Sequence, residues 1–199
     1  MPDQLQNVSP QPRARLTGVV YLLYFLMAIF GQLMESHGLA VSGRVCNILS
    51  TLLYVVVSLL FYLLFKPVSR SLSLVAALFS LAGCAFMSLG LIHIKSTISP
   101  LWFFGLFCLL IGYLILKSTF LPRVLGVLMA AAGAGWLAYL IPALPLQLSH
   151  AIMVLGFVAE LTLCLWLLIM GVNVERWRPQ ASTANASIPI EGTPSASVD

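Results

Sequence analysis

Few side chains in this chain of 199 residues could do chemistry away from water. The first is Glu160, the one charge in "GFVAELTLCLWLLIMG", residues 156–171. A carboxylate in an apolar run can exchange a proton, hold a ligand, or sit as a hydrogen-bonded acid that donates to a tyrosine or serine oxygen. Next are three histidines, His37, His93 and His150. Converging imidazoles would make a metal or haem site, but these have no ligand spacing and fall near the ends of apolar segments. The four cysteines, Cys46, Cys84, Cys108 and Cys164, form no Cys-x-x-Cys pair. They read as small buried residues, with no disulfide framework. Dinucleotide, phosphate-loop, zinc-protease and nucleophile-elbow motifs are all missing, which argues against a soluble type of enzyme.

What must position these residues follows from composition. Hydrophobic residues make up 60% of the chain and charged residues 8%, whereas a soluble domain is about 45–50% apolar and about 25% charged. Mean hydropathy is +1.02. A helix needs about 20 apolar residues to cross the hydrocarbon core. Six such runs are expected at 16–34, 45–65, 71–94, 98–116, 124–140 and 148–171, separated by breaks such as "KPVSR", "KSTFLPR" and "IPALPLQ". They are continuous rather than alternating, so the expected fold is an all-α polytopic membrane bundle and not a barrel.

Charge gives the orientation. With six spans and a cytoplasmic N-terminus, Arg13, Arg15, Lys66, Arg70, Lys117, Arg123, Arg176 and Arg178 lie inside, and only Arg44 and Lys95 outside. This is the positive-inside pattern, with both termini cytoplasmic. The net charge of +4 then reports contact with anionic lipid and not nucleic-acid binding. The expected division is a disordered cytoplasmic N-terminus at 1–15, a transmembrane domain at 16–171 and a mostly disordered cytoplasmic tail at 172–199, with Trp177 as an interfacial anchor.

Helical spacing marks the interior faces. Thr17, Tyr21, Tyr24, Ala28, Gly31 and Glu35 share a stripe; so do Asn47, Thr51, Tyr54, Ser58 and Tyr62, and Ser73, Ala77, Ser80, Cys84 and Ser88. Small and hydroxylated side chains mark helix contacts in lipid. Gly126, Ala130, Ala134 and Ala138 suggest a further small-residue groove. Glu160 shares a face with Gly156 and Cys164, about ten residues from either end of its span. It is expected near the midplane, facing inward, at the depth of Tyr24, Tyr54, Ser58 and Ser80. Those five residues form the candidate ligand or proton site.

The stretches "PRARLTGVVYLLYFLMAIFG", "GYLILKSTFLPRVLGVLM" and "AELTLCLWLLIMGVNVERW" resemble a bacterial family of multi-pass membrane proteins known as a domain of unknown function. The resemblance runs from Pro12 to Trp177 and implies an inner-membrane protein without an assigned activity. Members commonly carry a histidine where Phe107 stands, and longer outer connections after the first and third spans. This chain has neither, which weakens a haem or metal site. Three readings follow: a non-enzymatic membrane bundle that needs no cofactor and whose partners are membrane lipids and a membrane protein of unknown identity; a small-molecule or proton-linked carrier or ligand-binding bundle around Glu160; and a metal- or haem-dependent membrane enzyme using the outer histidines.

Overall fold

The computed structural model describes residues 10–91, 98–141 and 145–177. Within them run six long helices: α1 (Pro10–Ser36), α2 (Ala40–Phe65), α3 (Arg70–Leu91), α4 (Leu101–Lys117), α5 (Arg123–Ala138) and α6 (Leu146–Ile169). A further helical turn covers 174–177, and no strand occurs among the described residues. Each helix packs against the next in the chain, and α6 packs against α1, so the bundle closes into a ring. Short connections between sequential helices enforce this antiparallel neighbour order.

The ring is inverted relative to a soluble protein. Its buried polar residues include Thr17, Ser50, Thr51, Ser58, Ser73 and Ser80, while leucines, valines and isoleucines along every helix are exposed. Only an apolar surrounding makes that arrangement favourable. Four helices, α1, α2, α3 and α6, are long and apolar enough to cross a membrane; the chain is a helical membrane protein. The remaining two are shorter than the other walls. With 17 and 16 residues, α4 and α5 rise about 26 and 24 Å at ~1.5 Å per residue, against a hydrocarbon core of about 30 Å.

Backbone chemistry fixes the helix ends. α1 stops where Gly38 takes φ +81°, with the Leu39 N–H donating to Met34 O at 2.9 Å. α6 stops at Gly171, φ +68°, whose N–H donates to Trp166 O at 3.0 Å. The left-handed region favours glycine at both positions. Gln11 completes the second stop: its amide donates to Met170 O at 2.8 Å and accepts from Val172 N at 2.9 Å.

Several expectations change here. α1 begins at Pro10, so 10–15 are helical and not part of a disordered N-terminus; residues 1–9 lie outside the described set. Trp177 is no free anchor. It packs on the core, and its indole N–H points at Leu64 O, 3.5 Å away. The rest of the expected tail, 178–199, lies outside the described residues. On α5 the groove is rotated from the expected line: Ala134 is exposed, while Gly126 and Gly133 are buried. A Cβ on Gly126 would lie 2.9 Å from Gly112 O, and one on Gly133 would lie 2.7 Å from Gly105 O. Gly126 and Ala130 of the expected stripe do face α4 at Gly112, but the next contact is Gly133 and not Ala134, a step of four followed by a step of three as along a coiled-coil seam.

Candidate functional site

Glu160 lies on α6 with its carboxylate turned into the ring. Oε2 accepts the Tyr21 hydroxyl of α1 at 2.7 Å, and Oε1 faces the Cys108 thiol of α4 at 3.9 Å. The Trp136 indole of α5 stands within hydrogen-bonding reach. Gly156, one turn earlier on α6, makes room for it: a Cβ there would lie 2.7 Å from Trp136 Cε2 and 3.0 Å from Nε1. Four helices therefore meet at one carboxylate.

Of the residues expected beside Glu160, Tyr24 and Tyr54 are close by, and Ser58 and Ser80 are not its partners. The rings of Tyr24 and Tyr54 are 4.7 Å apart, and both contact the Tyr21 ring, at 5.9 and 6.2 Å. Ser58 and Ser80 bond to each other across α2 and α3, and Ser58 also donates to Tyr54 O at 2.7 Å. The groups that reach Glu160 are a phenol O–H, a thiol S–H and an indole N–H. Most interior hydroxyls bond within their own helix, as Thr17 does to Arg13 O and Ser88 to Cys84 O, both at 2.8 Å. They serve as small residues, more than as cross-helix ties.

Sequence reasoning missed Tyr21 and Trp136 as members of the site. Tyr21 lay on the right stripe, one turn from the chosen Tyr24. Trp136 had one signal, the glycine four residues before Glu160.

The hydroxyls of Tyr24 and Tyr54 make no hydrogen bond among the described residues. Yet no buried side-chain oxygen or nitrogen there lacks a partner. Tyr54 is only 4% exposed, and Tyr24 is half-buried. Glu160 is itself only partly buried. The large side chains with less than 2% exposure, such as Phe61, Phe65, Ile111, Met129, Leu163 and Leu167, sit at the Glu160 level or toward the basic end of the ring. Toward the opposite end, Tyr24, Ala28, Phe104 and Leu155 stay partly exposed. Glu160 stands at the floor of that looser half.

The histidines do not build a metal site among the described residues. His37 and His150 are exposed, each with Nδ1 bonded to a carbonyl of its own chain one turn back, Leu33 O at 2.8 Å and Leu146 O at 2.9 Å. His93 lies outside the described residues. No group of three or more His, Cys, Asp or Glu residues that could hold a metal occurs in the described set. Phe107, at the family's histidine position, is buried in the core. A separate cavity of about 350 Å³ opens at the basic end, between the α4–α5 turn at Phe120 and Pro122 and the end of α6 at Trp166 and Met170.

A family model described as "Domain of unknown function (DUF4386)" matches residues 95–171, the segment that carries Cys108, Trp136, Gly156 and Glu160 but not Tyr21. A protein of Archaeoglobus fulgidus described as "Uncharacterized protein" is 32% identical over 130 residues, covering 60% of this chain and 78% of that protein. No solved structure matches. The chain belongs to the DUF4386 family, and the similarity reaches into the archaea.

Proposed function

We propose that this member of the family is a non-enzymatic, six-span plasma-membrane protein with both termini cytoplasmic, in which Glu160 forms a midplane site for a proton or a small ligand reached from outside. The observation that carries the reading is a carboxylate on α6 turned into the ring, reached by Tyr21, Cys108 and Trp136 from three other helices, with Tyr24 and Tyr54 packed beside Tyr21. The basic residues support the orientation. Arg13, Arg15, Lys66, Arg70, Lys117, Arg123 and Arg176 gather at one end of the ring, and Arg44 lies at the other.

Two measurements test this. In a cysteine-free background, Ala28→Cys should react with a membrane-impermeant thiol reagent added outside, while Leu167→Cys should not. Protection of Ala28→Cys, with the protein shown to be folded, would remove the outward access. Reporter fusions at both ends should report cytoplasm, and a periplasmic signal from either end would overturn the topology.

A second reading makes Glu160 a structural tie only. The bonds from Tyr21 and Cys108 favour it. It requires Glu160→Gln and wild type to be alike in proton or solute flux across liposomes, whereas the first reading requires the flux to be lost in a normally folded Glu160→Gln protein.

A further inference from the structure

We propose that the cavity at the basic end, between the α4–α5 turn and the end of α6, is a discrete site for the phosphate headgroup of an anionic phospholipid. It does not depend on any role of Glu160.

The cavity crosses from apolar to polar surroundings. On the α6 side it is lined by Trp166 and Met170; Trp166 is half-buried, and Met170 and its neighbour Ile169 are exposed on the lipid-facing surface. Asn173 and Arg176 line the other side, just past Gly171, where φ +68° turns the chain out of α6. One opening therefore offers acyl-chain chemistry on one side and headgroup chemistry on the other. A soluble anion gains nothing from Met170, and a neutral apolar molecule gains nothing from Arg176. An amphiphile with a negative headgroup matches both. The volume, about 350 Å³, is at the lower end of the range for small-molecule sites, about 300–1,000 Å³. It admits a headgroup while the acyl chains stay in the bilayer.

The donors are held in place by the turn they face. The Asn173 N–H donates to Phe120 O at 3.2 Å, and the Thr119 hydroxyl donates to Arg176 O at 3.2 Å. Asn173 Oδ1 accepts the backbone N–H of Arg176 at 3.2 Å. These bonds occupy the backbone of Arg176 and the side-chain oxygen of Asn173. The Arg176 guanidinium and the Asn173 amide N–H groups have no acceptor among the described residues. A guanidinium fork fits phosphate oxygens with two parallel bonds, and the amide supplies a further donor. The surrounding charge selects an anion. Arg13, Arg15, Lys66, Arg70, Lys117 and Arg123 share this end of the ring, and Glu175 is its one carboxylate among the described residues. Basic pockets at the ends of membrane helices hold anionic headgroups by this sum of diffuse attraction and local bonding.

The experiment titrates the full chain in detergent with phosphatidylglycerol, phosphatidylcholine and soluble glycerol 3-phosphate, and counts bound ligand by native mass spectrometry. A single saturable phosphatidylglycerol is expected, held about tenfold or more tightly than phosphatidylcholine and weakened about tenfold or more by Arg176→Gln, the scale of a lost charged hydrogen bond. Arg70→Gln, at the same end but outside the cavity, should change the affinity by less than about twofold, as a solvent-screened charge does. Equal retention of phosphatidylcholine, or an equal loss in Arg70→Gln and Arg176→Gln, would overturn the discrete site. Binding of glycerol 3-phosphate as tight as that of phosphatidylglycerol would assign the phosphate to a soluble source and overturn the lipid. Met170→Cys carrying an environment-sensitive fluorophore, in a cysteine-free chain that keeps Arg176, reads the same site without the Gln variant. Its emission should shift saturably with phosphatidylglycerol and not with phosphatidylcholine, and the same shift with both would overturn the proposal.

Discussion

On the basic side of Glu160 the ring is filled by large side chains: Phe61 stacks with Phe65 at 6.1 Å, Phe65 with Phe120 at 6.0 Å, and Ile111, Leu114 and Leu163 are at most 1% exposed. On the other side Tyr24, Ala28, Phe104 and Leu155 stay partly exposed, and the walls meet through small residues, as they also do at Gly18 and Gly112 on the basic side. A Cβ on Gly43 would lie 2.9 Å from Gly31 O, and one on Gly105 would lie 3.2 Å from Gly133 O. Both halves are built of the same apolar helices, yet they differ in what reaches the axis. Bulky side chains seal a ring of six helices. Backbone-to-backbone contact at small residues holds neighbouring helices together in both halves. Glu160 lies at the boundary, where partly desolvated polar groups have somewhere to face.

The contrast can be broken most severely in the sealed half. Phe61→Ala should cost about 3–5 kcal/mol, as for a large aromatic removed from a close-packed core, read from unfolding in detergent. Phe104→Ala, in the looser half, should cost well under half of that. Equal losses would mean that the two halves are packed alike.

Gly112→Val should come next. Its Cβ position is 2.7 Å from Ala130 N and 2.8 Å from Gly126 O, so the α4–α5 seam must open, at about 1–3 kcal/mol. Gly90→Val, where a Cβ would meet nothing within 4 Å, serves as its control, since it carries the helix propensity change without the clash. A similar loss in both variants would reject the seam as the cause.

At the boundary the effect should be smaller. The double-mutant cycle of Tyr21→Phe with Glu160→Gln should give a coupling of about 0.6–1.7 kcal/mol, the range found for polar contacts between membrane helices. Glu160→Ala should cost about 0.5–2 kcal/mol. Additive Tyr21 and Glu160 variants would show that the 2.7 Å bond contributes nothing to stability. Smallest of all should be Ser58→Ala, about 0.6 kcal/mol, because Ser58 keeps a neighbour in Ser80 but its hydroxyl also serves its own helix. A loss above that of Glu160→Ala would place the main polar tie at α2–α3 instead.

Much of this architecture was legible in the residue order. Lipid demands helices whose backbone groups are satisfied internally, so long apolar runs had to become α1, α2, α3 and α6. A period of 3.6 residues then separated Thr17, Tyr21 and Gly31 from the lipid-facing Leu16, Val19 and Leu23. Those faces depend on one helix at a time. Glu160 could be assigned an inward, mid-depth position for the same reason.

Its partners could not be assigned. Tyr21 and Tyr24 are three residues apart on one stripe, and which of them meets Glu160 depends on the rotation and axial offset of α1 against α6. That offset is set where Gly18 lets α1 approach Leu168, with a Cβ there only 2.7 Å from Leu168 Cα. The α4–α5 seam was read correctly at Gly126 and Ala130 and lost at Ala134, because steps of four and of three between small residues overlap on one helix. Only the partner helix, with Gly105 and Gly112 opposite Gly133 and Gly126, selects between them. Periodicity is a property of a single chain segment, whereas register, ring closure and the choice of Tyr21 as the partner of Glu160 arise from side chains far apart in sequence competing for the same volume.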